Sequence, residues 1–324
     1  MKISQKSKLR FQKNEPFRIL CVSDIHGGVG YDEPNTVRYL NDVLEQAKPD
    51  LVLLLGDIAG PGYIHIETAA QLKTMLDGLT APLEQSGIPW AFVFGNHDDN
   101  FGLPNDEAAR IYETYPHCLS VCDGDSIGDS DYVIPIYDEA GKALKFCVYC
   151  FDSHGGEDDY RKRYGLADDM LLTFPNQGGL DSTERGVDFA QVADYWQTSA
   201  AIEKANGHTV TAMAVMHVPL QELGWASVNR AETDFQGVQG EDVSCQGLNS
   251  GLFRAFLERG DVKAVCFGHD HENNVTAVYG GVLLANDGYL SCHASHTKET
   301  LGGRLFTVDP NDLTVTTAFI NARM

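Results

Sequence analysis

An α/β fold built on parallel strands is what this sequence predicts, and three observations carry the prediction. Apolar runs of strand length alternate with stretches of helical period through the first third of the chain. Five such runs each end in a short cluster of Asp, His or Asn. The 324 residues, 43% of them hydrophobic, suffice to bury a large core. No repeat or interdomain linker interrupts them, so a single domain over residues 1–324 is expected.

Taken in order, the first strand is residues 17–22, followed by Val37, Leu40, Leu44 and Ala47 at helical spacing up to Pro49. The second strand is residues 51–55; Leu72, Leu76, Leu79 and Leu83 then mark a helix that Pro82 should strain or split. The third strand is residues 90–94, with a helix over 106–114 behind it. This β-α-β-α-β order implies parallel neighbours with right-handed crossovers. Residues 132–137 and 144–151 flank Asp138-Glu139-Ala140-Gly141-Lys142, a hairpin signal. Residues 152–188, rich in Gly, Asp and Ser, are expected to form a long loop. A helix with one apolar face over 188–204 leads to a strand over 210–215, and residues 220–249 form a second loop-rich stretch. Ser250 is the expected cap of a helix holding Leu252, Phe253, Phe256 and Leu257, which Gly260 stops. Strands over 262–267, 275–278, 282–285, 304–308 and 314–319 complete the chain.

Charge narrows the function. With 46 acidic against 24 basic residues the formal charge is −22, which argues against general nucleic-acid binding, since affinity for a polyanion comes mainly from Lys and Arg. A small phosphorylated substrate or a phosphoprotein stays compatible, because bound divalent ions reverse the potential locally. Residues 1–10 are basic without an apolar segment, so no signal peptide is expected, and no run approaches the length of a membrane span. Several of the eight cysteines (Cys21, Cys147, Cys150, Cys266) lie inside apolar runs, as reduced core thiols do. Cys147 and Cys150 have the spacing of a metal or redox pair, yet three apart on a strand they point to opposite faces. A reducing cytoplasm fits this usage.

The five clusters are Asp24-Ile25-His26, Gly56-Asp57, Gly95-Asn96-His97-Asp98, Met216-His217 and Gly268-His269-Asp270-His271. Strand ends on one sheet edge converge in space whatever their separation in sequence. Asp24 and His26, two apart, can point the same way and grip one ion; His269 and His271 can do likewise. Asp57 can bridge two ions through its two oxygens, Asn96 offers a neutral carbonyl oxygen, and His217 another imidazole. This all-O,N set suits two divalent or trivalent ions, Mn, Fe or Zn, which would activate a shared water and hold a phosphoryl group. His97 follows a ligand directly, points elsewhere, and is a candidate to protonate a leaving alkoxide. Asp98 or Asp99 is the candidate to orient its ring and raise its pKa. His65, His117, His208, His293 and His296 are read as ordinary core or surface groups.

These clusters, in this order, resemble the calcineurin-like metallophosphoesterase family, whose pattern is D-x-H, G-D, G-N-H-[DE], H and G-H-x-H. The resemblance runs over about residues 17–308 and every motif is intact. It implies a four-layer α-β-β-α sandwich of mixed sheets with metals at the C-terminal strand edge. By the same resemblance Asp24, His26, Asp57 and His271 would bind the first metal. Asp57, Asn96, His217 and His269 would bind the second, and His97 matches the catalytic histidine.

Asn35-Thr36, the run 48–52, Phe151-Asp152-Ser153, His217-Val218-Pro219 and the run 249–253 resemble the branch labelled purple-acid-phosphatase-like. True purple enzymes place a metal-binding Tyr three residues after the bridging Asp. Gly60 stands there and His26 is present, so a tyrosinate-bound Fe(III) centre is not expected.

The expected activity is hydrolysis of phosphomonoesters by in-line attack of a metal-bridging hydroxide. A phosphodiesterase acting on cyclic nucleotides or phospholipid head groups is the alternative. A metal-free binding scaffold is disfavoured because all seven ligands are present. Arg161-Lys162-Arg163 is either a clamp for a second anionic group or solvated charge. Arg304 either touches substrate or pairs with a carboxylate, and Asp152 and His154 are candidates to back the site.

Overall fold

A computed structural model of the protein describes residues 1–28, 33–60, 66–98, 102–122, 126–154, 165, 186–292 and 297–323. Its strands are β1 (Lys2–Ile3), β2 (Phe17–Val22), β3 (Leu51–Leu55), β4 (Trp90–Val93), β5 (Tyr132–Tyr137) and β6 (Leu144–Cys150). They continue as β7 (Thr211–Met216), β8 (Val262–Phe267), β9 (Thr276–Tyr279), β10 (Val282–Asn286), β11 (Gly302–Val308) and β12 (Val315–Asn321). The helices among the described residues are α1 (Glu33–Ala47), α2 (Ala69–Leu79), α3 (Ala81–Ser86), α4 (Asn105–Tyr112), α5 (Phe189–Asn206), α6 (Gln221–Val228) and α7 (Leu252–Arg259).

Two mixed sheets result. One has the order β12-β11-β2-β3-β4, the other β1-β5-β6-β7-β8-β10-β9. β2, β3 and β4 are mutually parallel, as the alternating pattern requires, and β6, β7 and β8 are parallel in the second sheet. These central strands are apolar over most of their length because both their faces are covered, with Arg18, Lys145 and Lys263 confined to their N-terminal ends. On β2, Ile19 and Cys21 join the apolar layer between the sheets, whereas Leu20 and Val22 pack under α1, α2, α3 and α4. The second sheet divides in the same way. Val148 and Cys150 face the first sheet, while Cys147 and Tyr149 pack with Tyr195 of α5 and Phe256 of α7. Three apolar layers therefore separate four structural ones, helix, sheet, sheet, helix.

Pro82 does divide its helix. α2 ends at Leu79, Thr80 donates its N–H to Leu76 O, and α3 restarts with Pro82 in its first turn, where a missing N–H costs nothing. Gly260, at φ 70°, ends α7.

Three expectations need correcting. Residues 220–249 are not simply loop: they contain α6, which escaped notice because Leu223, Gly224, Ala226 and Ser227 are all buried and leave no amphipathic stripe. Ser250 does not cap α7. Asn249 Oδ1 accepts from Gly251 N at 2.8 Å, Gly251 takes the cap position at φ 84°, and the buried Ser250 Oγ has no partner among the described residues. Lys2–Ile3 forms a short strand on β5 where the sequence showed only a basic, non-apolar start. Most of the loop expected over 152–188, including Arg161-Lys162-Arg163, lies outside the described residues, as do His65, Asp99, His293 and His296.

Candidate metal centre

All five clusters sit at the C-terminal ends of β2, β3, β4, β7 and β8, and backbone hydrogen bonds stitch those ends together. Asp24 N and His26 N donate to Gly56 O and Asp57 O at 3.1 and 2.9 Å, binding the first turn to the second. Gly268 N donates to His217 O at 3.1 Å, joining the two clusters of the other sheet. The turns are sharp. Asp24, His26, Asp57 and His269 all lie in the left-handed region, at φ 52°, 50°, 47° and 76°. Asp and His tolerate that region better than most residues, and the remaining strain is the kind that a site held by its surroundings stores.

The approach between turns demands glycine. A Cβ on Gly95 would meet Asp57 Oδ1 at 2.3 Å, and one on Gly56, at φ 88°, would meet His217 Nδ1 at 2.7 Å. The glycines of the G-D and G-N-H clusters let sheet ends close on each other.

The donor atoms fall into two adjoining groups. In the first, His271 Nε2 lies 3.0 Å from Asp24 Oδ1 and 3.2 Å from His26 Nε2. In the second, Asn96 Oδ1 lies 3.0 Å from both His217 Nε2 and His269 Nδ1. Asp57 Oδ2 stands between them, 3.3 Å from His217 Nε2 and 3.9 Å from His26 Nε2. Asp24 Oδ1 also faces both, at 4.0 Å from His217 Nε2.

Two imidazoles have their outward nitrogens fixed. His26 Nδ1 faces Gly60 O and His217 Nδ1 faces Leu55 O, each at 2.7 Å. A carbonyl only accepts, so each Nδ1 carries hydrogen and each Nε2 faces inward as the atom that offers a lone pair once any proton on it is displaced, as in metal-binding histidines. Around an ion, bonds of about 2.1 Å place neighbouring donors roughly 3.0–3.4 Å apart. The short separations above match those polyhedron edges, so the residues present fit a pair of cations.

The electrostatics agree. Asp24 and Asp57 are buried, which opposes their charge, yet His271 and His217 hold both carboxyls well below the usual range. Burial works against a proton on His217, but Asp57 and Asp24 outweigh it and raise that ring to about 10. His271 is raised to about 9 by Asp24 against the same opposition. His269 goes the other way, to about 3, through burial and the nearby His217. Buried anions thus gather cationic protons where cations would sit.

His97 stands at the open side. Its side chain is 37% exposed, its Nε2 lies 4.0 Å from Asp57 Oδ2, and its ring meets His26 edge-on with centroids 5.7 Å apart. Its backbone N–H donates to Asp57 Oδ1 at 2.9 Å. Asp98, expected as partner to that ring, is fully buried. It accepts from Gly95 N at 2.8 Å and Ala59 N at 3.1 Å, fastening the turn of Asn96 to the turn of Asp57.

Arg304 is buried and donates to Asn286 O and Asn274 O, so neither alternative expected for it is what its hydrogen bonds record. His154 is tied to Gln191 Oε1 at 3.1 Å, and its neighbour Ser153 accepts from Val218 N, beside His217. His117 pairs with Glu84, and His208 faces Asn206 O.

Sequence reasoning passed over Ser23 and Asp287, which back Asp24. A signal existed: Asp287 follows the apolar run of β10 just as the five clusters follow theirs.

The calcineurin-like phosphoesterase family profile matches residues 17–273, well over half of the chain. "Probable inactive purple acid phosphatase 14" of Arabidopsis thaliana is 28% identical over 311 residues, 88% of this chain and 73% of that protein. "Phosphatase DCR2" of Saccharomyces cerevisiae is 27% identical over 282 residues, 80% of this chain and 44% of that one. Among solved structures, a dimetal phosphatase from Danio rerio matches with TM-score 0.54 and 14% identity, over 95% of this chain and 100% of that one, a likeness of fold. The sandwich of two mixed sheets, the convergent Asp and His groups and the span of the profile lead to one assignment: this chain belongs to the calcineurin-like phosphoesterase family.

Proposed function

We propose that this chain is an active two-metal phosphoesterase that hydrolyses phosphomonoesters, with water as the nucleophile. One observation carries the reading: seven O and N donors from five strand ends meet at spacings of 3.0–4.0 Å, with Asp57 Oδ2 between the two groups. When bound, two such ions neutralise phosphoryl charge and lower the pKa of a water they share.

The chain's own residues do the rest. Asp24, His26 and His271 would hold one ion and Asn96, His217 and His269 the other, with Asp57 placed to serve both. His97 faces the opening and gives its proton to the departing oxygen. Its N–H bond to Asp57 keeps that ring in register with the bridge. Burial lowers the His97 pKa, so the proton is released readily once the leaving oxygen takes up charge. No Ser or Cys nucleophile is required, and cysteines such as Cys21 and Cys266, buried with raised pKa values, are inert.

Names of the plant relatives include the word "inactive". Our reading rests instead on this chain's complete donor set. A single assay series separates the possibilities: purified protein with added Mn²⁺, tested on p-nitrophenyl phosphate and on bis-p-nitrophenyl phosphate. Monoester cleavage is expected. Cleavage of the diester alone would make the chain a phosphodiesterase. Metal uptake without turnover of either would leave a binding protein.

A further inference from the structure

Ser23 stands between two buried carboxyl groups. Its Oγ donates to Asp24 Oδ2 and lies 2.7 Å from Asp287 Oδ1, and Ser23, Asp24 and Asp287 are all fully buried. A hydroxyl has one hydrogen and cannot serve both. With that hydrogen on Asp24, the contact to Asp287 needs a hydrogen from Asp287 itself, a neutral acid. Gly288 O, a further acceptor, is more distant at 3.4 Å.

The surroundings favour the neutral form. Asp287 Oδ2 has no hydrogen-bond partner among the described residues, a situation far costlier for a carboxylate than for an acid. Burial and the charge on Asp24 push this carboxyl well above its ordinary range. Arg304 donates through Nε to Asn286 O at 2.5 Å and through Nη2 to Asn274 O, so it anchors the strand end that carries Asp287. Gly268 leaves the room: a Cβ there would meet Ser23 Oγ at 2.7 Å.

We propose that Asp287 and Ser23 are positioning residues, a donor chain from Asp287 Oδ1 to Ser23 Oγ to Asp24 Oδ2 that turns Asp24 Oδ1 toward the metals. Asp24 Oδ2 also accepts from His269 N at 3.0 Å. With two donors on Oδ2, Oδ1 is the oxygen presented to an ion, beside His271 Nε2 at 3.0 Å. The inference rests on the two-metal reading above, in which Asp24 is a ligand.

The test titrates chelator-stripped protein with Mn²⁺ by calorimetry, comparing wild type with Ser23→Ala, Asp287→Asn and Asp287→Leu. Asn keeps a neutral donor at that position, whereas Leu keeps the volume without one. Ser23→Ala and Asp287→Leu should weaken manganese binding by about ten- to a hundred-fold, the usual effect of removing a group that orients a ligand. Asp287→Asn should bind within a few-fold of wild type, a rescue that packing alone would not separate from Leu. If Asp287→Asn weakens binding as much as Asp287→Leu, or if Ser23→Ala and Asp287→Leu bind like wild type, the donor chain is wrong while the two-metal reading survives. A wild type that takes up no manganese overturns both. Should Asp287→Leu not fold, Ser23→Ala and Asp287→Asn decide between the same outcomes.

Discussion

At the scale of single residues, the account depends on protons and lone pairs. His97 is read as the acid and not as a ligand, so His97→Ala should lower kcat by about 10²–10⁴-fold while metal content stays at the wild-type level. Equal loss of turnover and of metal, measured by elemental analysis, would move His97 into the ligand set. The raised pKa values of His217, about 10, and His271, about 9, have a signed consequence. Both rings hold protons in the metal-free protein at neutral pH, and a bound ion must displace them. Manganese binding should therefore release protons and tighten as pH rises from 6 to 9. Binding that is flat across that range, read by calorimetry in matched buffers, would contradict it. The seven donors could be named from sequence because His-x-His, Asp-x-His and Asn-His at strand ends are rare in combination. What backs them was less legible. Leu55 O and Gly60 O, which fix two rings, are backbone groups with no residue-type signal, and Ser23 meets Asp287 across 264 positions.

At the scale of elements, the strand runs were legible because β2, β3 and β4 are buried on both faces, and a run whose one polar residue is Arg18, bounded by turn residues, has few other readings. Helices with one wet face, such as α1, showed in the same way. α6 did not, since burial around it erased the period, and the Ser250 cap failed because a neighbouring Asn captured the turn. The glycines at strand ends look like ordinary turn residues in sequence, and their packing role appears only in three dimensions. Gly95→Ala tests that role. Its Cβ would lie 2.3 Å from Asp57 Oδ1 and 2.4 Å from Asp57 N, so the turn carrying Asp57 must shift. Overpacking of this kind costs about 1–3 kcal/mol. The variant should unfold at lower urea and bind less than the wild-type complement of manganese; unchanged stoichiometry and midpoint would show that the turns have slack.

At the scale of the whole molecule, three donor turns come from one sheet and two from the other, so the centre pins the two sheets at a common edge. The four-layer arrangement was implied by family resemblance. The alternation of strands and helices gave only its parallel core, because contacts between distant strands leave no local pattern. Net charge adds to the argument: a chain at −22 gains from bound cations, and nothing in its composition favours binding a polyanion. Ligands that bind only the folded state stabilise it by about 2.7 kcal/mol at a hundred times Kd. Saturating Mn²⁺ should accordingly raise Tm by several degrees, and a chelator should reverse the shift; a Tm indifferent to both would mean that the cluster is not a metal site. The central claim has a more direct test in a crystal grown with excess manganese, measured at the manganese absorption edge. Two anomalous peaks about 3.5–4 Å apart are expected among Asp24, His26, Asp57, Asn96, His217, His269 and His271, with Asp57 touching both. Peaks elsewhere, or none among these seven side chains, would contradict it.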